Sequence, residues 1–165
     1  MMAENTGSGF RRYLRELSDF RRFRKLSLRE KQVVVYAETG SQWQYFGPIV
    51  DRLVEEHGLA VDYLTSSETD TKLADPPPGV RSYCIGAGTV RTIAFATLEA
   101  KVALMTTPGL ETTYIKRSKH PVHYVYTPHN MNSTHMVFPR GALNGFDSIL
   151  CCLTSAPLGQ IEAFA

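Results

Sequence analysis

Residues 32–37 (QVVVYA) form a continuous apolar run, and such a run predicts a strand that is buried on both faces. Residues 38–41 (ETGS) form a polar turn, and apolar side chains at steps of three and four then predict a helix over residues 42–57. Gly58 is the expected end of this helix, and Pro48 is expected to kink or split it near its start. A buried strand followed by an amphipathic helix is the repeating unit of α/β folds.

The same alternation continues toward the C-terminus. Further strands are predicted at residues 59–64 (LAVDYL), 80–85 (VRSYCI), 102–105 (VALM), 122–126 (VHYVY) and 148–153 (SILCCL). A helix is predicted over residues 89–100, and a helix or turn over residues 134–143. Strands that alternate with helices predict an α/β fold with a doubly wound, mostly parallel sheet of the Rossmann-like type.

Polar loops follow three of the predicted strands, at residues 38–41, 106–109 and 128–134. Because the carboxyl ends of parallel strands share one edge of the sheet, these loops are expected to gather where ligands bind in open α/β folds. The last loop begins at Pro128 and His129, and residues 108–147 hold four of the five histidines in the chain. The sequence therefore predicts a functional site at this edge.

Two glycines, Gly86 and Gly88, follow the third predicted strand. The backbone N–H groups of such a turn could meet a phosphate at the start of the next helix. A dinucleotide-binding fingerprint would require a third glycine at position 91, where this chain has Arg91. A tight turn without a ligand is the alternative interpretation.

The N-terminal region has a different character. Residues 1–9 are small and polar and are predicted to be disordered, residues 10–31 are predicted to hold a basic amphipathic helix, and residues 32–165 form the Rossmann-like domain. The apolar stripe of the helix consists of Phe10, Tyr13, Leu14, Leu17 and Phe20. The arginines assigned to a membrane-facing surface are Arg11, Arg12, Arg15 and Arg22.

A basic helix of this kind suits an anionic membrane surface. The alternative is a helix docked on its own domain with a solvated basic face. No nucleic-acid partner is expected, because no finger spacing or aromatic-lined sheet motif accompanies the basic residues. Residues 10–31 carry a net charge of +6 in a chain whose total is +2, which leaves −4 for the remainder.

Composition limits the class of protein. The chain has 165 residues, enough for one domain with a real core. It contains no apolar run of about 18 residues and no apolar N-terminal core of a signal peptide. The expected location is cytoplasmic, peripheral at the inner face of the membrane. The three cysteines, Cys84, Cys151 and Cys152, are expected to be buried, reduced thiols.

Several segments in a fixed order resemble the CDP-glycerol:poly(glycerophosphate) glycerophosphotransferases, which polymerise or prime teichoic-acid-like chains. The segments are residues 43–53 (WQYFGPIVDRL), 63–70 (YLTSSETD), 106–119 (TTPGLETTYIKRSK), 124–138 (YVYTPHNMNSTHMVF) and 146–150 (FDSIL). The resemblance implies a GT-B architecture, in which the active site lies between two Rossmann-like halves. This chain is similar to the N-terminal half, so CDP-glycerol would be bound by a C-terminal half that the chain lacks.

The resemblance also implies roles for individual residues. A glycerol hydroxyl would attack the β-phosphorus of CDP-glycerol, with CMP as the leaving group. His129 matches the position of the family's loop histidine, and an imidazole with an ordinary pKa of ~6.5 suits the role of general base. The residues assigned to a polyol-phosphate or lipid-linked acceptor are Lys116, Arg117, Lys119, Thr107, Gly109 and Ser133. No cofactor is implied.

Other interpretations stay open. A zinc site made of His120, His123, His129 and His135 is not expected, because no well-placed Glu or Cys accompanies them. Lys116, Arg117 and Lys119 could be a solvated charge run, and Ser133 could cap a helix. The chain could be the N-terminal half of another GT-B glycosyltransferase, with CDP-ribitol or a sugar nucleotide as donor. It could also be a non-catalytic module that binds an acidic membrane surface, a partner subunit or a second copy of itself.

Overall fold

The computed structural model describes residues 5–111, 115–128 and 140–150, and within these ranges it contains one six-stranded, all-parallel sheet. The strands are β1 Val33–Ala37, β2 Val61–Thr65, β3 Val80–Cys84, β4 Val102–Met105, β5 His123–Tyr126 and β6 Ser148–Ile149. Their spatial order is β3-β2-β1-β4-β5-β6. Helices on both faces and this strand order define a Rossmann-like α/β fold, and the predicted fold class is confirmed.

Two cores lie on opposite faces of the sheet. The helices are α1 Asn5–Arg24, α2 Trp43–His57 and α3 Thr89–Ala96. Because side chains alternate along a strand, β1 contributes to both cores. Val34 and Tyr36 join the core beneath α1 and α3, here called the α3-side core. Val33, Val35 and Ala37 join the core beneath α2, here called the α2-side core.

The predicted elements differ from the observed ones mainly at their ends. The first five predicted strands end within two residues of the observed bounds, and residues 151–153 of the sixth lie outside the described residues. Pro48 does not split α2, because the packing of the buried Phe46 and Val50 against the sheet outweighs one lost backbone hydrogen bond. α3 ends four residues early, where the Thr97 hydroxyl bonds the Ile93 carbonyl at 2.8 Å.

α1 differs from its prediction in its start and in its buried face. It begins at Asn5, within the segment 1–9 that the sequence predicts to be disordered. Asn, Thr and Ser are favoured at helix starts. Because the following residues already form a helix, extension of that helix toward Asn5 avoids the free-energy cost of nucleation. The buried face passes through Glu16, Phe20 and Phe23, whereas Phe10 keeps 63% of its surface exposed. Glu16 lies against Gly86 at the carboxyl end of β3, so earlier residues extend past the sheet.

The second half of α1 covers β3, which is an edge strand of the sheet. The Asp19 carboxylate accepts a hydrogen bond from the Cys84 backbone N–H at 2.9 Å. The Arg22 guanidinium donates to the Ser82 carbonyl at 2.9 Å and lies 4.9 Å above the Tyr83 ring. Outward-facing backbone groups of an edge strand need such partners. Arg22 therefore holds α1 on the sheet, a structural role in addition to its predicted one at a membrane.

Replacement of Asp19 tests this attachment. We expect Asp19→Ala to lower the free energy of unfolding by about 1–2 kcal/mol, because a charge-assisted hydrogen bond to the edge strand is lost. The matched control is Ser18→Ala, on the exposed face of α1, which should change it by less than about 0.5 kcal/mol. Urea denaturation measures both, and equal effects of the two substitutions would contradict this role of Asp19.

Candidate functional site

The order in which strands are added to the sheet reverses between β1 and β4, which are parallel, hydrogen-bonded neighbours at the centre of the sheet. After β1 the chain enters α2 on one face, and after β4 the segment through Leu110 and Ile115 joins the α3-side core on the other. The chain therefore leaves the two carboxyl ends toward opposite faces, and the region between these ends is here called the crevice. In doubly wound sheets this switch point is the preferred position of a ligand.

Threonines line the carboxyl ends of the central strands. Extension of the strand register by one residue from Tyr126 brings Thr127 beside Thr106, next to the last residues of β1 and β2. Thr106, Thr107 and Thr127 are at most 6% exposed, and their hydroxyls have no hydrogen-bond partner in the described part of the chain. A buried hydroxyl without a partner costs about 1–3 kcal/mol. Thr106 and Thr107 lie at the switch point and Thr127 lies beside Thr106, so a polar ligand at this edge of the sheet could satisfy these hydroxyls.

A second polar group lies on the α3 side of the crevice. The Tyr36 and Ser66 hydroxyls are 2.8 Å apart. Arg91, in the first turn of α3, donates to the Tyr36 oxygen at 3.5 Å and approaches the Glu38 carboxylate at 3.9 Å. Burial raises the pKa of Tyr36, although the bonds from Ser66 and Arg91 act in the opposite direction. Tyr36 therefore stays a neutral hydroxyl between a cation and a serine.

The first turn of the sheet is closed to a nucleotide phosphate. The Tyr63 hydroxyl donates to the buried Asp70 carboxylate at 2.7 Å, and the Asp70 carboxylate lies 2.9 Å from where a Cβ on Gly40 would be. Burial raises the pKa of Tyr63, and the hydrogen bond to Asp70 adds to the rise. Gln42 caps the Glu38 backbone N–H, so the start of α2 is filled by side chains of the domain. A phosphate here would meet the negative charge of Asp70.

The sequence-predicted site residues divide into three groups. Thr107 lies at the switch point, as its position after β4 predicts. Gly109 is nearby, but its backbone N–H donates to the Ala142 carbonyl and its φ of +80° makes it a turn residue. His129 and Ser133 lie outside the described residues, so their roles stay predictions.

Arg117 belongs to a different end of the sheet. Its guanidinium binds both oxygens of the Asp147 carboxylate at 3.1 and 2.9 Å, just before β6. It also donates to the Gly145 carbonyl at 2.6 Å and lies 4.8 Å from the centre of the Tyr124 ring. These contacts are at the amino ends of β5 and β6. Arg117 thus joins two strands and is not brought beside Thr107.

The lysines of the same cluster also lie apart from the crevice. The Lys116 ammonium donates to the Glu111 carbonyl at 2.6 Å. The Lys119 backbone N–H reaches the carbonyl of Ala96, which is the last residue of α3, and the Lys119 side chain is exposed. α3 runs antiparallel to the strands, so its end lies at their amino edge. The structure therefore does not gather the predicted phosphate-binding cluster at the carboxyl edge.

The crevice residues that sequence reasoning missed are Thr106, Thr127, Glu38 and Arg91. The threonines follow β4 and β5 directly, so strand ends in the sequence could have identified them. Arg91 was considered only as the residue that breaks a glycine fingerprint. Among the described residues, no group of three or more His, Cys, Asp or Glu could hold a metal ion. None of the described helices is both long enough and apolar enough to span a membrane.

The Arg117–Asp147 pair predicts a pH-dependent stability. Burial is the largest single effect and acts to raise the pKa of Asp147, but the Arg117 hydrogen bonds, the Tyr124 backbone N–H and the charge of Arg117 together outweigh it, so the pKa is lowered overall from 3.8. A carboxyl whose pKa is lowered by folding stabilises the protein above its unfolded pKa, and this contribution is lost as the pH falls below about 4. We expect Asp147→Asn to cost about 1–2 kcal/mol at pH 7.

Urea denaturation at pH 7 and pH 3 measures this difference. The gap between the unmodified chain and Asp147→Asn should be smaller at pH 3, because Asp147 is then largely protonated in the unfolded state and its contribution to stability is lost as the pH falls through the lowered pKa of the folded state. Asp75→Asn, at an exposed surface position, is the control and should show little gap at either pH. A gap for Asp147→Asn that is unchanged at pH 3 would show that the charge of Asp147 does not contribute.

No family model, curated protein or solved structure matches this chain.

Proposed function

We propose that this chain is the acceptor-side half of a GT-B glycerophosphotransferase, which moves glycerol phosphate from CDP-glycerol to a membrane-associated polyol-phosphate or glycan acceptor. The observation that carries the proposal is the set of three buried threonine hydroxyls after β4 and β5 that have no hydrogen-bond partner among the described residues. A polyol-phosphate chain presents hydroxyls and phosphate oxygens in alternation, and both can bond to threonine hydroxyls. An apolar ligand would leave these hydroxyls unsatisfied.

The closed first turn supports the acceptor role over a donor role. A nucleotide in a Rossmann-like half would place its phosphates at the first strand–helix turn. Asp70 and Gln42 occupy that region here. CDP-glycerol would thus be held by the second half of the GT-B pair, and the acceptor hydroxyl would approach it from the crevice of this chain.

The proposed chemistry is the transfer of a phosphoryl group. The acceptor hydroxyl attacks the β-phosphorus, the bond to CMP breaks, and the hydroxyl proton passes to a base. His129 is the proposed base, because it follows β5 by three residues and the family has a histidine in this loop. Such a transfer needs positioning and charge stabilisation more than covalent participation of the protein.

The outer face of α1 supports a peripheral association with membranes. Phe10, Tyr13 and Leu14 are 63%, 44% and 48% exposed. They lie on the part of α1 that extends past the sheet. The cations on the outer and flanking sides of the helix are Arg11, Arg15, Arg21, Arg24 and Lys25. Exposed apolar residues that are flanked by Arg11 and Arg15 suit anionic headgroups, which would keep the chain near a lipid-linked acceptor.

The same face of α1 supports a second candidate function, a non-catalytic module that binds an acidic membrane surface or a partner. The candidates differ in what the crevice does. Only the transferase requires that loss of a crevice hydroxyl lowers turnover while membrane binding stays intact.

Transfer of glycerol phosphate tests the first candidate. CMP release from CDP-glycerol should occur with a membrane acceptor when a donor-binding C-terminal half is added, and His129→Ala should abolish it. We expect Thr106→Val to lower the rate by about 10- to 100-fold, because one hydrogen bond to a charged acceptor contributes roughly 1.5–3 kcal/mol. Stability should stay equal or rise, because an unpartnered hydroxyl is removed.

The matched control is Ser82→Ala. Ser82 also has a buried hydroxyl without a partner in the described residues, but it lies in β3, away from the crevice. It should leave the rate unchanged. An equal rate loss in both variants would contradict the crevice assignment, and absence of CMP release in every mixture would contradict the transferase.

Vesicle flotation tests the membrane surface. We expect Leu14→Ser to weaken binding to vesicles that contain phosphatidylglycerol by roughly tenfold, because insertion of a leucine contributes about 1.5–3 kcal/mol. Leu28→Ser is the control, since Leu28 is similarly exposed at 53% but lies beyond α1. Equal binding by both variants, or equal binding to vesicles of phosphatidylcholine alone, would contradict this orientation.

A further inference from the structure

Arg91 occupies an unusual position for a cation. It is the third residue of α3, whose first turn contains no acidic residue. The positive end of the helix dipole lies at this turn, so a cation there is disfavoured. The Arg91 side chain is nevertheless only 11% exposed, next to the carboxyl end of β1. An anion near Arg91 would be attracted by both the guanidinium and the helix start.

Glu38 and Thr107 lie on the same side of the crevice. Tyr36 of β1 is opposite Met105 of β4. Glu38 follows Tyr36 by two residues, and Thr107 follows Met105 by two residues. Tyr36 and Met105 both belong to the α3-side core. Extension of the strand alternation past Ala37 and Met105 puts Glu38 and Thr107 on the α3 side, and Glu38 reaches Arg91 at 3.9 Å. The Thr107 hydroxyl is buried without a partner in the described residues.

We propose that Arg91, Glu38 and Thr107 form the subsite for the terminal glycerol phosphate of the acceptor. The Arg91 guanidinium binds the phosphate, the Glu38 carboxylate accepts hydrogen bonds from the glycerol hydroxyls, and Thr107 donates to an oxygen of the ligand. This assignment rests on the acceptor role proposed above. It transfers phosphate recognition to Arg91 from Lys116, Arg117 and Lys119, which contact other parts of the domain.

The pairing of a carboxylate with an arginine predicts selectivity as well as affinity. A ligand with only a phosphate gains from Arg91 but is repelled by Glu38. A ligand with only hydroxyls gains from Glu38 but offers nothing to Arg91. A compound that carries a phosphate and vicinal hydroxyls satisfies both groups, so the subsite should prefer it to either part alone.

Binding of small probes to the full chain tests the subsite. The probes are sn-glycerol 3-phosphate, inorganic phosphate and glycerol, measured by calorimetry or by chemical shifts. Glycerol 3-phosphate should bind most tightly of the three. Arg91→Gln should weaken it by roughly 10- to 100-fold, because a charge-assisted hydrogen bond is lost. Arg91→Lys, which keeps the charge, should weaken it less.

Glu38→Gln provides an independent signature. Its removal of a negative charge should tighten binding of inorganic phosphate while it weakens binding of glycerol 3-phosphate, so the selectivity falls or reverses. Lys119→Gln is the matched control for a change of charge, and it should leave all three affinities unchanged. If Arg91→Gln does not fold, Arg91→Lys and Glu38→Gln still decide the outcome.

Two results would overturn the subsite. One is glycerol 3-phosphate binding that is unaffected by Arg91→Gln, or equally affected by Lys119→Gln. The other is selectivity that Glu38→Gln leaves unchanged. The transfer assay separates this failure from failure of the proposed function. CMP release with an unchanged acceptor KM in Arg91→Lys and Glu38→Gln would contradict the subsite but support the transferase. Selective probe binding without CMP release would support the subsite but contradict the transferase.

Discussion

The pairing of β1 with β4 is the constraint on which the rest of the molecule depends. Crossovers between parallel strands are right-handed, so a chain that builds outward from β1 in both directions must place α2 on one face and the later connections on the other. The loops after β1 and β4 then leave toward opposite faces of the sheet. Glu38, Thr106 and Thr107 face a crevice for this reason, and not because their own sequence opens one.

The two ends of the sheet use polar side chains differently. At the amino end, Arg81 binds the buried Asp62 carboxylate through two bonds of 2.8 and 3.0 Å. Burial raises the pKa of Asp62 and Arg81 opposes the rise, so the pair gives up solvation for strand-to-strand attachment. At the carboxyl end, Thr106 and Thr127 are buried without such partners in the described residues. Buried hydroxyls without partners among the described residues at one edge are an energetic cost of the kind that functional sites carry.

Much of the fold was predictable, because a parallel sheet leaves long apolar runs and its helices leave a period of three to four. The edge that carries the site followed from the same reasoning. Lys116–Lys119 is close to Thr107 in sequence, but the structure holds Arg117 and Lys119 at the amino ends of the strands, and a role of this basic cluster in phosphate binding stays a prediction. Arg91 could not be recognised, because only the register of β1 and the packing of α3 bring it to Glu38. The apolar stripe on α1 is periodic as predicted. Only the part of the stripe that lies over the sheet is buried, and the sequence does not show where the sheet ends.

α1 has two functional sides. One side binds β3 and protects it from self-association, and the other side is the surface proposed to bind membranes. Its inner side completes the backbone hydrogen bonds of β3, and its outer side carries exposed aromatic and basic residues. A shortened chain without α1 would lose the exposed aromatic and basic surface. It would also expose the edge strand β3, whose unpaired backbone groups are a template for pairing with another copy. Such a protein would self-associate through β3, and a dimer found in it would report the missing helix and not the native assembly. A charged substitution on the outer side, such as Leu14→Glu, is the way to separate the two properties.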